Sequence, residues 1–187
     1  MRAGRHTMKV FVGYASAHGS TRGVAERIAS VLTQHGHQVF VGPLDRRTDL
    51  RGFAAAVLGS AVHDGKWLPE AVEALRRNAD VLAEFQVWVY SVSLVGERTS
   101  AFRPGVARRL RSLKARRGAG LPPELRAALQ PLGQHDFAGT VSPEHWPITG
   151  RLVFRAMGGR YGDHRDWSEM DDWAGGIARD LLESTAE

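Results

Sequence analysis

Short apolar runs bounded by turn residues recur along the first half of the chain: Lys9–Tyr14 (KVFVGY), Gln38–Val41 (QVFV), Ala55–Ser60 (AAVLGS) and Gln86–Ser91 (QVWVYS). Each is apolar at successive rather than alternate positions, the pattern of strands buried on both faces, as in a parallel sheet. Between the first two, Val24, Ile28, Val31 and Leu32 form a stripe at helical spacing, and Gly36 predicts the stop. Leu68–Leu82 reads as a second helix; Val106, Leu110 and Leu113 mark a third whose other faces carry arginines. Pro122-Pro123 signals a further helix start, and Asp136–Val141 a fifth strand. A last helix is expected after Ser168, in a capping box with Asp171, burying Met170, Trp173, Ile177 and Leu181. Strands alternating with helices in this way predict an α/β fold, a doubly wound five-stranded parallel sheet with helices on both faces.

The chain of 187 residues is long enough for one well-filled core and short for two. Residues 8–187 are therefore expected to form a single domain. Met8 offers an alternative start, leaving residues 1–7 as an unpacked extension. No apolar run approaches the roughly 18 residues of a membrane span, and the basic start is followed by no apolar signal segment. With no cysteine there is no disulfide, thiolate nucleophile or zinc–sulfur site. A cytoplasmic location is the expectation.

Function is expected in the loops, because an open parallel sheet binds ligands beyond the carboxyl ends of its strands. After the first strand comes Ser16-Ala17-His18-Gly19-Ser20-Thr21, small and hydroxyl-rich, leading into a helix. Free backbone N–H groups at a helix start, with hydroxyls beside them, suit a phosphate dianion. The alternative is that Ser20 and Thr21 merely cap the helix. The loop lacks the lysine of a nucleoside-triphosphate loop and the glycine spacing of a dinucleotide site. No acidic residue ends the strand, which argues against a magnesium-dependent phospho-receiver. His35 and His37 have no third ligand near them in sequence, so no metal site is expected, and no Ser-His-Asp arrangement can be read from spacing.

After the third strand stands Ala61-Val62-His63-Asp64-Gly65-Lys66-Trp67, and after the fourth Ser91-Val92-Ser93-Leu94-Val95-Gly96-Glu97. These loops, with the first, make the chain resemble a flavodoxin. Within that group GSAVHDGKW, YSVSLVGER and FRAMGG, with a closing Asp-Trp before the last helix, resemble the flavodoxin-type protoporphyrinogen oxidases. His63-Asp64 stands where that family has Arg-Tyr. The resemblance implies a flavodoxin-like fold and an FMN cofactor. Ser16, Ala17, His18, Gly19, Ser20 and Thr21 would hold the phosphate. Ala61, Val62, His63, Asp64, Gly65 and Trp67, with Ser91, Val92, Ser93, Leu94, Val95 and Gly96, would border the isoalloxazine, Asp64-Gly65 being the step at which a peptide flips cheaply. Trp67 would stack on the ring, or else be buried at the helix start; Tyr90 reads as core. The flavin carries the electrons itself, so no side chain is expected to be catalytic.

The resemblance further implies an FMN-dependent oxidoreductase passing electrons between a small organic substrate and a quinone or a redox protein. A carrier without its own substrate is the alternative. An insertion around residues 142–161, with apolar Trp146, Ile148, Leu152, Val153 and Phe154 beside Arg151 and Arg155, would shape a substrate site or simply pack a helix. Arg98–Arg117 holds eight basic residues and no acid. It is either a solvated face or a contact for an anionic partner such as a membrane surface. It has almost no interleaved aromatics, which argues against nucleic acid.

Overall fold

The computed structural model describes residues 7–117 and 120–183. Residues 1–6, most of the expected extension, lie outside the described residues. The elements in chain order are β1 (Lys9–Ala15), α1 (Ser20–Gln34), β2 (Gln38–Pro43), β3 (Ala55–His63), β4 (Lys66–Trp67), α2 (Pro69–Arg77), α3 (Ala79–Leu82) and β5 (Gln86–Ser93). They continue with α4 (Pro104–Arg117), α5 (Pro123–Leu129), β6 (Gly133–Ala138), β7 (Thr140–Val141), a 3-10 turn at Pro143–His145, α6 (Ile148–Ala156), β8 (Gly162–Asp163) and α7 (Trp167–Glu183).

The long strands align in the order β2-β1-β3-β5-β6 and run parallel throughout. This is the predicted five-stranded sheet. Alternation along each strand feeds two cores. Val10 and Val12 of β1, with Ala55 and Val57 of β3, meet α1 and α7 on one face. Phe11, Ala56 and Leu58 meet α2, α3 and α5 on the other. A smaller cluster, Val95, Phe102, Ala107, Val141 and Phe154, joins α4, α6 and the loop after β5.

Several expectations need correction. β2 is not buried on both faces: the strand order places it at an edge, and Phe40 and Val41 stand about two-fifths exposed at 41% and 42%. The ammonium of Lys9 lies over the Phe40 and Phe53 rings, at 5.1 and 4.8 Å, so part of this surface is shielded by a cation. The helix expected over Leu68–Leu82 is two, because the Asn78 amide turns aside to bond Thr48 O, Ala74 O and Leu50 N–H. The fifth strand begins earlier, at Gly133, and ends at Ala138; Thr140–Val141 pairs instead with Gly162–Asp163. The last helix is capped by Asp166, whose Oδ1 accepts from Ser168 and Glu169 N–H at 3.1 Å. Asp171 faces α1 and takes both N–H groups of the Arg27 fork.

Candidate functional site

The chain steps outward from β1 to β2 and returns on the other side of β1 with β3, so the strand order reverses between β1 and β3. Beyond the carboxyl ends of β1, β3 and β5 opens a cavity of about 390 Å³. Its position is the one expected for a ligand in a doubly wound sheet.

The floor belongs to the loop after β1. Ser16, Ala17, His18, Ser20 and Thr21 line it; Gly19 does not, and holds the turn with φ of 85°, where a Cβ would meet nothing within 4 Å. Ser16 Oγ accepts from Gly19 N–H at 2.9 Å, so this hydroxyl braces the loop. α1 begins without a side-chain cap and without an acidic residue in its first turn. The first N–H groups of a helix have no intrahelical acceptor. Thr21 Oγ1 is buried, the residue being 1% exposed, and has no hydrogen-bond partner. An uncapped helix start, no carboxylate in its first turn and an orphaned buried hydroxyl together fit a phosphate, whereas capping by Ser20 or Thr21 is not what the structure shows.

Two walls come from the loops after β3 and β5. Ala61, Val62, His63 and Asp64 line one; Val92, Ser93 and Leu94 line the other. Asp64 and Gly65, with φ of 49° and 76°, form the two-residue turn joining β3 to β4, with His63 paired to Lys66. Gly65 itself does not line the cavity. Ser93 Oγ donates to Val95 O at 2.9 Å, and Val95 and Gly96 turn away from the cavity. A Cβ at Gly96 would strike the β6 backbone at Ala138 N, which accounts for the glycine by packing. Trp67 and Ser91 lie outside the wall too: Trp67 is 4% exposed and donates its indole N–H to Ser91 Oγ at 3.0 Å. Of the alternatives for Trp67, the structure shows burial, because that bond satisfies the indole inside the core. Tyr90 is likewise core; burial pushes its phenol far up, and its hydroxyl donates to Gly13 O at 3.1 Å.

A third wall comes from the start of the expected insertion and from the residues just before it, Gly139–Val141, which the sequence does not single out. Gly139, Thr140, Val141 and Ser142, then His145, Trp146 and Pro147, close the cavity opposite β3. Thr140 N–H donates to Ser20 Oγ at 3.2 Å, fastening this wall to the start of α1. The indole in the cavity wall is thus that of Trp146. The His18 and His145 rings stack with centroids 3.6 Å apart and planes 6° from parallel, and His63 stands 6.3 Å from His18. Burial, then the neighbouring His145 and His63, holds the His18 imidazole below its ordinary range. Among the described residues no group of His, Asp and Glu is placed to hold a metal ion.

The basic segment is only partly turned inward, Arg111 and Lys114 being half-buried and Arg98 exposed. Arg98 pairs with Asp172, Lys114 with Asp136 at 2.9 Å, and Arg111 donates to Gly96 O at 2.8 Å. Arg103, Arg108 and Arg109 stay exposed; the side chains of Arg116 and Arg117 lie outside the described residues. No described helix is long and apolar enough to cross a membrane.

A family model described as Flavodoxin domain matches residues 11–157. No curated protein matches the sequence. Among solved structures, rubredoxin oxygen:oxidoreductase from Desulfovibrio gigas aligns with 96% of this chain at TM-score 0.55 and 17% identity; the chain spans only 37% of that protein. A single-site mutant of the flavodoxin from Pseudomonas aeruginosa aligns at TM-score 0.53 and 14% identity, covering 94% of this chain and 99% of that one. At such identities the neighbours establish the fold.

Proposed function

The chain belongs to the flavodoxin family and binds FMN, and from that premise we propose that it is an FMN-dependent oxidoreductase with an apolar organic substrate, of the protoporphyrinogen oxidase-like kind, that passes electrons to a quinone or another acceptor. FMN, when bound, supplies the one- and two-electron chemistry. The residues of this chain bind it, shield it and admit its reaction partner.

One observation carries the reading. α6 follows directly from the cavity-wall residues Trp146 and Pro147 and is anchored by the buried Phe154. Its outer face presents Ile148, Leu152, Val153 and Met157 at 73, 66, 56 and 50% exposed. Large apolar side chains gathered on one exposed face mark an interaction surface. Arg151 and Arg155 flank that face and suit the carboxylates of an amphipathic substrate. A carrier that meets only the flavin edge has no use for such a wall. The exposed Arg103, Arg108 and Arg109 would add attraction for an anionic surface or redox partner near this end of the molecule.

FMN-loaded protein is tested for oxidation of protoporphyrinogen and for quinone reduction. Turnover that rises with substrate to saturation is the expected result. A yellow protein that exchanges electrons with flavodoxin reductases yet oxidises no porphyrinogen and reduces no quinone is a carrier.

A further inference from the structure

We propose that His18 and His145 hold one proton between them beside the FMN 5′-phosphate, so that binding of the phosphate dianion takes up a proton. The inference rests on the FMN reading above and adds to it a charge partner contributed by the insertion.

The chemistry begins with a missing cation. A phosphate at the start of α1 would meet backbone N–H groups and the Thr21 hydroxyl, but among the described residues no lysine or arginine lines the cavity. The groups in its wall able to carry positive charge are His18, His63 and His145. His18 directly precedes Gly19, the residue that opens α1, so its imidazole belongs to the phosphate loop. His145 arrives from the 3-10 turn of the insertion and lies flat on His18 at 3.6 Å. Other charged groups are nearby but otherwise engaged or more remote: Arg22, in the first turn of α1, pairs with Glu26, and the Arg165 guanidinium beside Gly23 holds Asp163. Asp64 lines the opposite wall beyond His63, and Glu144 is exposed at the neighbouring chain position. Asp163, behind Thr140, is taken by the Arg165 fork.

Two imidazolium rings face to face at this distance repel, whereas one imidazolium stacked on a neutral imidazole is attractive. The rings therefore titrate as a pair, and the first proton belongs to both. Burial first, and then His145 and His63, disfavours the charged form of His18. A dianion beside the pair reverses the balance and favours the charged form. The sign follows. The pair gains proton affinity on binding, so FMN affinity rises as pH falls through the neutral range, until the phosphate itself protonates near about pH 6.

The test measures FMN affinity by flavin fluorescence quenching at about pH 6.5 and about pH 8.5, with riboflavin as the phosphate-free probe. In the wild type, FMN should bind about tenfold more weakly at the higher pH, and riboflavin equally at both. His145→Gln and His18→Gln, each at an exposed residue, should flatten the FMN profile. A flat wild-type profile, or a slope that survives in both variants, overturns the proposal. A second measurement separates its failure from that of the FMN reading: imidazole resonances are followed against pH with and without inorganic phosphate alone. Phosphate should raise the midpoint of the His18–His145 titration. Midpoints that phosphate leaves unmoved overturn the pair whether or not the protein binds flavin.

Discussion

Thr21 separates a ligand-binding loop from a merely capped helix more sharply than its neighbours do. Ser16 is spent on Gly19 N–H and Ser20 on Thr140 N–H, so substituting either would disturb the loop as well as any ligand. Thr21 Oγ1 is buried with nothing to bond, a state that costs free energy unless a ligand answers it. Thr21→Val keeps the shape and removes the hydroxyl. Stability without FMN should hold or rise by up to about 1 kcal/mol, while FMN binding should weaken by about 1–3 kcal/mol, roughly 5- to 150-fold in Kd. Chemical denaturation and fluorescence titration read the two separately. A valine variant that loses stability and keeps its affinity would return Thr21 to a structural role.

The elements were legible where one pattern dominated and hidden where side chains engaged distant partners. β1, β3 and β5 announce themselves because both their faces are buried. β6 does not: its Gln134, His135 and Asp136 are half-buried polar residues, held by partners no local pattern reveals, His135 by Glu169 at 3.0 Å and Asp136 by Lys114. Asp64-Gly65, a strong two-residue turn signal, marks the β3–β4 hairpin as well as a flexible step. The cofactor loops after β1, β3 and β5 could be placed from topology and resemblance. The insertion could be suspected of shaping the site, but not which of its residues would do so, since only the fold brings His145 onto His18 and Gly139–Val141 into the wall. Close packing of strands also fixes residues that read as neutral. Gly59 lies beside Tyr90 in the register, under its ring, and a Cβ there would fall within the ring atoms. Gly59→Ala should therefore cost about 1–3 kcal/mol or more, as overpacking does, and shift the urea midpoint without changing the slope. A cost below about 0.5 kcal/mol would mean that Tyr90 moves freely, contrary to its buried bond to Gly13 O.

At the scale of the whole molecule, the two cores hold a sheet whose carboxyl end supports three loops, and the insertion supplies the remaining wall. Phe154 anchors that insertion among Phe102, Trp146 and Tyr161, with ring centroids 5.1 to 5.3 Å away. Deleting the segment would strip this cluster and unsettle the loop after β5, so removal tests folding more than function. A point change on the outer face is cleaner. Leu152 is 66% exposed and outside the cavity wall, so Leu152→Glu should alter stability by no more than about 0.5 kcal/mol. It should leave FMN affinity as it was, because the phosphate loop and both flavin walls are untouched. If apolar substrates enter across α6, a carboxylate there must be desolvated on each approach, which opposes binding by about 1–3 kcal/mol. KM for a long-chain quinone or porphyrinogen should then rise about 5- to 150-fold with kcat little changed, whereas a small water-soluble acceptor should be unaffected. Equal loss with both kinds of acceptor would place the damage at the flavin. No loss with either would take α6 out of substrate binding and leave its apolar face to a protein partner.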